Sequence, residues 1–472
     1  MTDHHGGILH PREREEVVNE MTHGSVYGLI CRLAIPTIVT MMVSALYNIV
    51  DTYFVGKLSR DAIAAVGIAF SVMCVIQACG FFWGQGSGIG ISKQLGADET
   101  ADADATASVG FFGALLMGTV IAAVGMAFLE PLSVLLGANK PVLLAETKRY
   151  MACILMGAPF MMGAISLNVQ FRQQGRSMLS MLGIASGAVL NTVLDPLLMF
   201  GLGLDVVGAG VATSLSQAFS CAVLLGFNIA GNGVRVRLRN FRPRGRILAE
   251  IAGGGLPSLF RQGTSSISTA CLNVMAGEFG VAAVAAMSIV SRVMNLNNSF
   301  ITGFGQGFQP VCGFNYGAKR YDRVLKAFRF TLWTAVCIQL VISAAGIIFA
   351  PDIIGIFRKG DTEIIEFGRT ALRLQCISSP LASVVLMANM LTQVMGKTPS
   401  ATFLATAKNG LFFIPLVFLL THAFGAIGLQ STQVFSDLLA FVCTLIILRL
   451  ILRELRSADR LHPHSEPQTA GA

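Results

Sequence analysis

PTIVTMMVSALYNIVDTYFVG, residues 36–56, is long and apolar enough to cross a bilayer, yet it carries one carboxylate, Asp51. A spanning helix needs about 20 mostly apolar residues. An acidic side chain at that depth costs a few kcal/mol on insertion scales, so it faces a protein interior or a wet cavity rather than lipid. Asp51 is therefore the first functional candidate.

The pattern recurs outward from this stretch. Charge-free runs at 62–92, 105–129, 150–171, 206–234, 330–350 and 374–396 are each long enough to span as a helix. Further spans, interrupted by single charges, fall around 28–56, 178–203, 249–277, 283–313, 401–421 and 426–449. The runs are too continuous for barrel strands, which alternate every second residue. The chain is 53% hydrophobic and 13% charged, against about 25% charged in soluble domains. It reads as an all-α membrane protein of twelve transmembrane helices.

The net charge of +8 does not mark a nucleic-acid binder, because the cations are distributed by loop. Arg235, Arg237, Arg239, Arg242, Arg244 and Arg246 share one loop, Lys319, Arg320, Arg323, Lys326 and Arg329 another, and Arg449, Arg453, Arg456 and Arg460 follow the last helix. With alternating helices these all lie on one side, which the positive-inside rule makes cytoplasmic, together with both termini. A polybasic patch for anionic lipid is the rival explanation of the Arg-rich loop. The ten cysteines show no metal-ligand spacing and read as small core residues. The first 32 residues are polar and end at Arg32, so no cleavable signal peptide is expected.

Adding 221 to positions in the first half reveals a duplication. Pro36 becomes Pro257, Gly56 becomes Gly277, Gly84-Gln85-Gly86 becomes Gly305-Gln306-Gly307, and Gly96-Ala97 becomes Gly317-Ala318. Pro159 matches Pro380, Asn168 matches Asn389, and Gly175 matches Gly396. Each half holds an even number of spans, so the two six-helix bundles enter from the same side and are related by an axis along the membrane normal. The expected divisions are a tail at 1–27, an N-lobe at 28–231, an Arg-rich linker at 232–247, a C-lobe at 248–453 and a second tail at 454–472. Two facing bundles enclose a central cleft, the arrangement of alternating access. Pro36 bends or kinks the first helix and is the hinge candidate. The small residues around Gly84 and Gly305 read as close helix packing.

Asn191 and Asp195 are four apart and stack on one helix face. With Asp51, and with the hydroxyl of Thr213, they are candidates either to share a proton or to coordinate a hard cation through oxygen. Asp195 also precedes Pro196 and has the simpler reading of a helix end. In the second half Asp51 maps to Leu272 and Asn191 to Phe412, so a coupling site belongs to the N-lobe alone. Tyr47, Asn48, Tyr150 and Asn168 suit an amphipathic ligand, with Met41, Met42, Met161 and Met162 as adaptable apolar surface. The second half instead carries Arg261, Arg292 and Lys408, with Asp437 and Glu278, some of them expected to pair across helices. The seven histidines lie in tails or an outer loop, and no nucleophile or metal constellation marks an enzyme.

The segments LYNIVDTYFVG, GQGSG with QLGA, QGRS, VLNTVLDPLLMF and GFGQGFQPVCGFNYGAKR, in this order from about Ile30 to Arg453, resemble the multidrug and toxic compound extrusion (MATE) family. The resemblance is to its DNA-damage-inducible and archaeal branch more than to the branch with acidic residues in the C-lobe. It implies a V-shaped pair of lobes in a bacterial cytoplasmic membrane, acting as a monomer among membrane lipids. Such a protein exports amphipathic, often cationic compounds in exchange for Na⁺ or H⁺, without a cofactor. It also implies that Asp51, Asn191, Asp195 and Thr213 form the cation site, holding the metal if the ion is sodium. Tyr47, Tyr150 and Asn168 then lie near it or in the drug cleft, with Pro36 bending the first helix. A flippase for lipid-linked oligosaccharides shares the paired-lobe plan, and Arg261, Arg292 and Lys408 keep it open. A non-transporting receptor or scaffold is the alternative of another class.

Overall fold

The computed structural model describes residues 14–55, 57–231, 233–357 and 361–461, the side chains of residues 45–53 and 60 apart. Among them every regular element is helical. The first half comprises α1 (Arg14–His23), α2 (Val26–Val55), α3 (Arg60–Gly96), α4 (Thr100–Ala127), the short α5 (Leu129–Leu135), α6 (Pro141–Gln173), α7 (Ser177–Pro196) and α8 (Asp205–Ala230). The second comprises α9 (Gly245–Gly277), α10 (Val281–Gly317), α11 (Tyr321–Ile348), the short α12 (Ala350–Phe357), α13 (Thr362–Val394), α14 (Thr398–Thr406) and α15 (Phe413–Leu461). α15 is interrupted at Gly425, where φ is 61°. A Cβ on Gly428 would overlap the Leu420 carbonyl, so the chain doubles back there. Counting α14 with the first arm of α15 as one pass and the second arm as another, the described residues supply the twelve long helical passes expected, of which all but α9 and α10 are apolar enough to cross a membrane on composition alone.

The duplication is visible in backbone detail. Gly175 and Gly396 close the turn after α6 and α13 with φ of 76° and 75°, a left-handed conformation that favours glycine. Asp98 and Lys319, also 221 apart, have φ of 62° and 58°. Asn168 donates to the Ser180 carbonyl at 3.1 Å, and Asn389 to the Ala401 carbonyl at 2.6 Å, each bond spanning the same turn.

The hydrophobic core shows how the halves meet. Ile89, Phe111, Phe171, Phe308, Phe314 and Phe328 belong to one cluster drawn from both halves, at the face where the described chain begins and ends. At the opposite face the core splits, with Ile76, Tyr150 and Met162 on one side and Leu272, Val290 and Phe413 on the other. Two lobes therefore join at this terminal face and part toward the far face, leaving a cleft between.

Small residues set the join. A Cβ on Gly96 would overlap the Phe314 carbonyl and one on Gly317 the Lys93 carbonyl, reciprocal contacts about a local two-fold axis between α3 and α10. Gly86 meets Ile251 in the same way, and Gly303 and Gly307 meet the backbones of Ile38 and Ala34. α1 lies across the seam. Arg14 pairs with Asp104 at 2.7 Å in the N-lobe, while Asn315, Arg320 and Arg323 of the C-lobe donate to the carbonyls of Met21, Thr22 and Gly24. Burial, then the charge of Arg14, holds the nearby Arg176 below the ordinary arginine range.

Candidate functional site

α7 and α8 run antiparallel and in close contact. Gly183 abuts Leu224, and Gly187 abuts Ser216 and Ser220. Continuing that register one turn further sets Asn191 beside Thr213 and Ser216 and brings Asp195 to the level of Gly210. Asn191 donates to Asp195 Oδ1 at 3.3 Å, the contact expected of residues four apart. Exposure is 1% for Asn191, 0% for Asp195 and 2% for each of Thr213 and Ser216.

These buried groups are short of partners. Asn191 Oδ1, Thr213 Oγ1 and Ser216 Oγ find no hydrogen-bond partner among the described residues. An oxygen buried without a donor is costly, and a hard cation or a proton relieves the cost. Directly after Asp195, Pro196 removes a backbone N–H, and the helix passes into a π turn at Leu197–Gly201. Tyr150, fully buried, lies against Gly210 one turn from Thr213.

The other candidates lie elsewhere. Tyr47, Asn48 and Asp51 are on α2, which packs along α7, but their side chains fall outside the described residues. Asn168 is eighteen residues beyond Tyr150 on α6, about 27 Å at 1.5 Å per residue, and ties the α6–α7 turn through Ser180 O and, at 2.6 Å, Ser180 Oγ. The structure does not bring Asn168 to the oxygen cluster. Pro36 is buried in α2 between the contact residues Ala34 and Ile38, and its carbonyl accepts from Thr40 Oγ1 at 2.8 Å.

The C-lobe contains a different set. Asp437, 2% exposed, accepts from Ser378 Oγ at 2.6 Å and Gln433 Nε2 at 2.8 Å, with Lys408 Nζ at 3.9 Å. Subtracting 221 turns Asp437 into Ser216 and Lys408 into Gly187, so this ion pair replaces a helix contact of the N-lobe. Leu272, at the repeat position of Asp51, sits in the apolar core.

Facing the cleft, α9 presents Gln262, Ser265, Ser266, Thr269 and Asn273, and α10 presents Ser291, Arg292, Asn295, Asn298 and Thr302, all partly or fully exposed. Lipid does not accept such stripes, so they border water. Arg261 is half-buried at the deep end of the α9 stripe.

The floor of the cleft is closed by a chain of buried amides. Gln173 donates to Gln309 at 3.3 Å, Gln309 to Gln393 at 3.3 Å, and Gln393 to the Gly254 carbonyl and Ser258 Oγ at 2.6 and 2.9 Å. Beside it, Arg172 is 1% exposed with Nε and Nη2 unbonded. Sequence reasoning missed Arg172 and Ser216. Arg172 stands next to a charged turn where a cation reads as topology, and Ser216 is one serine among several.

The MatE family matches residues 36–197 and 257–419, one match in each half. The chain is 26% identical over 459 residues to "Multidrug export protein MepA" of Staphylococcus aureus (strain MRSA252), covering 94% of this chain and 98% of that protein. It is 25% identical over 453 residues to the protein of that name from Staphylococcus saprophyticus, covering 95% and 98%. A solved structure described as the outward-facing conformation of a multidrug resistance MATE family transporter of the MOP superfamily superposes with a TM-score of 0.88 at 26% identity, covering 95% of this chain and 100% of that one.

Proposed function

From the premise that the chain belongs to the MatE family, we propose that it is a secondary active exporter of amphipathic, often cationic small molecules, driven by Na⁺ or H⁺ through alternating access. The observation that carries this is the buried N-lobe cluster of Asn191, Asp195, Thr213 and Ser216, with three oxygens unbonded. A closed amide floor and an open far face make a cleft that loads on one side and releases on the other. With the termini in the cytoplasm of a bacterial cell, the conformation described faces outward. The protein then works as a monomer surrounded by membrane lipids.

In this scheme the cluster supplies the coupling. The donor set is all oxygen, which suits Na⁺ as a ligand shell of Asp195, Asn191 Oδ1 and the two hydroxyls, and suits H⁺ as protonation of the carboxylate. Asp51, on the helix α2 that packs along α7, is the second acid proposed for the set. An ion shifts the two-state balance only by binding one state better, so occupancy from outside favours the drug-releasing form. Pro36, at the seam where α2 meets α10, is the place where α2 bends.

The test is efflux of a fluorescent cation from proteoliposomes with Na⁺ and pH gradients imposed separately. Asp195→Asn and Asp51→Asn are each expected to abolish gradient-driven efflux while expression and folding stay intact. Undiminished efflux in both variants overturns the coupling assignment.

A further inference from the structure

Among the described residues, two arginines within the membrane have no acid paired with them. Among those residues the Arg172 guanidinium makes a single hydrogen bond, a long one of 3.4 Å to Asn168 on its own helix. Arg261 comes from the other lobe, one turn along α9 from Ser258, which ends the amide chain that starts at Gln173 beside Arg172. Among the described residues the Arg261 guanidinium has no hydrogen bond or ion pair. Asp437, the buried acid of the C-lobe, is already taken by Ser378, Gln433 and Lys408.

Packing does not demand a cation here. Arg172 stands at the repeat position of Gln393, and that neutral amide is satisfied by the Gly254 carbonyl and Ser258 Oγ. Thr40, at the repeat position of Arg261, bonds within its own helix. A guanidinium held in a membrane protein without a counter-charge is costly, and it marks the route of a charged partner.

We propose that Arg261 and Arg172 form an anion-binding site at the floor of the cleft, and that the transported amphiphile carries a carboxylate, sulfonate or phosphate group that docks there. The site rests on the transporter assignment and narrows it. An amine on the same molecule lies toward the acidic N-lobe, so zwitterions fit as well as anions. The planar guanidinium fork engages two oxygens of one oxyanion at once, a geometry an ammonium lacks.

Access follows from the seam. Arg261 borders the open cleft, while Arg172 is shut behind the contact of Gln173, Gln309 and Gln393. Parting the lobes at the terminal face uncovers both, and the anion loads from that side. Closing the floor shuts Arg172 behind the amide contact again, and the anion leaves into the cleft along the α9 and α10 stripes, past Arg292.

The full-length protein in phosphatidylcholine nanodiscs tests this with two probes of one aromatic body. These are dansylglycine, which is anionic, and a dansyl ester of choline, which is cationic. Dansylglycine is expected to bind the wild type. Arg261→Gln and Arg172→Gln should each weaken it about tenfold or more, the scale of one charge-assisted hydrogen bond. Neither variant should weaken the cationic probe, and Arg261→Lys should keep part of the anion affinity. Gln393 in the sister lobe indicates that Arg172→Gln folds, and Arg261→Gln provides an independent variant.

Dansylglycine binding unchanged in both variants overturns the site. If the cationic probe is exported under an ion gradient while dansylglycine is ignored, the site falls and the transporter assignment stands. If dansylglycine binds in an Arg261-dependent way but no gradient moves either probe, the site stands and the transporter assignment fails. Arg261-dependent flipping of labelled phosphatidylglycerol in vesicles supports the site and names a lipid headgroup as the anion.

Discussion

The two lobes share a backbone and differ in what they bury. Gly84 packs against Ser166 and Val169, and Gly305 against Met387 and Met390, positions that again differ by 221. Yet Asn191 becomes Phe412, Ser216 becomes Asp437, Gly187 becomes Lys408, and Arg172 becomes Gln393. The N-lobe interior holds an acid beside unbonded oxygens and, at its floor, the guanidinium of Arg172, whereas the C-lobe interior pairs its acid with Lys408 and has a bonded amide, Gln393, in place of that arginine. The duplicated fold keeps its repeat at Gly96 and Gly317, where the lobes' backbones touch, because a larger side chain there would part the helices. It diverges inside each lobe, where the Gly187–Ser216 contact of one gives way to the Lys408–Asp437 pair of the other.

If the C-lobe pair is structural and the N-lobe acid functional, the sharpest contrast is between Asp437 and Asp195. Asp437→Asn leaves Lys408 with no opposing charge in a low-dielectric interior and should cost about 3–5 kcal/mol. Thermal unfolding in detergent reads this as a large drop in Tm. Replacing the pair with Lys408→Met and Asp437→Leu together should recover most of the loss, since well-packed apolar groups often equal a buried pair. An Asp437→Asn protein that unfolds like the wild type but loses ion-driven export would move an ion site into the C-lobe and erase the contrast.

A smaller effect separates glycines between the lobes from glycines within one. On Gly307 a Cβ meets the Ala34 backbone at 2.6 Å, across the seam, and rigid backbone does not yield. On Gly305, half a turn away, it meets the ends of Met387 and Met390, which do. Gly307→Ala should therefore push the lobes apart at the terminal face, at about 1–3 kcal/mol of overpacking, and Gly305→Ala should leave their balance unchanged. Spin-label distances across that face distinguish the two. An equal response from both would mean that the seam is not the element that sets the conformation.

Much of this is legible in the sequence, for definite reasons. Hydrophobic runs specify spans because lipid leaves backbone groups only internal partners. The duplication shows as a constant offset, and the stacking of Asn191 on Asp195 follows from helical periodicity. α9 and α10 are harder to read as spans, since their cleft stripes of Ser, Thr, Asn and Arg dilute them. Three things stay hidden because they depend on contacts between distant segments. One is the reciprocal fit of Gly96 on Phe314 and Gly317 on Lys93. Another is the strap of α1 across both lobes. The third is Arg172, whose side chain turns back along its helix toward Asn168 rather than out to the loop, as helical side chains lean toward the N-terminus.

The finest test of the comparison uses that strap. Gly175 and Gly396 have the same left-handed backbone, so Gly→Ala at either should cost about 1 kcal/mol from backbone strain alone. Their surroundings differ, however. A Cβ on Gly175 overlaps the end of Met21 in α1, whereas one on Gly396 meets only the Lys93 ammonium at 3.6 Å. Gly175→Ala should therefore destabilise slightly more, and the excess should vanish when Met21→Ala is added. If the excess persists without the Met21 side chain, the two turns differ in the lobes themselves. If Gly396→Ala is the costlier change, α1 is not the source of the asymmetry.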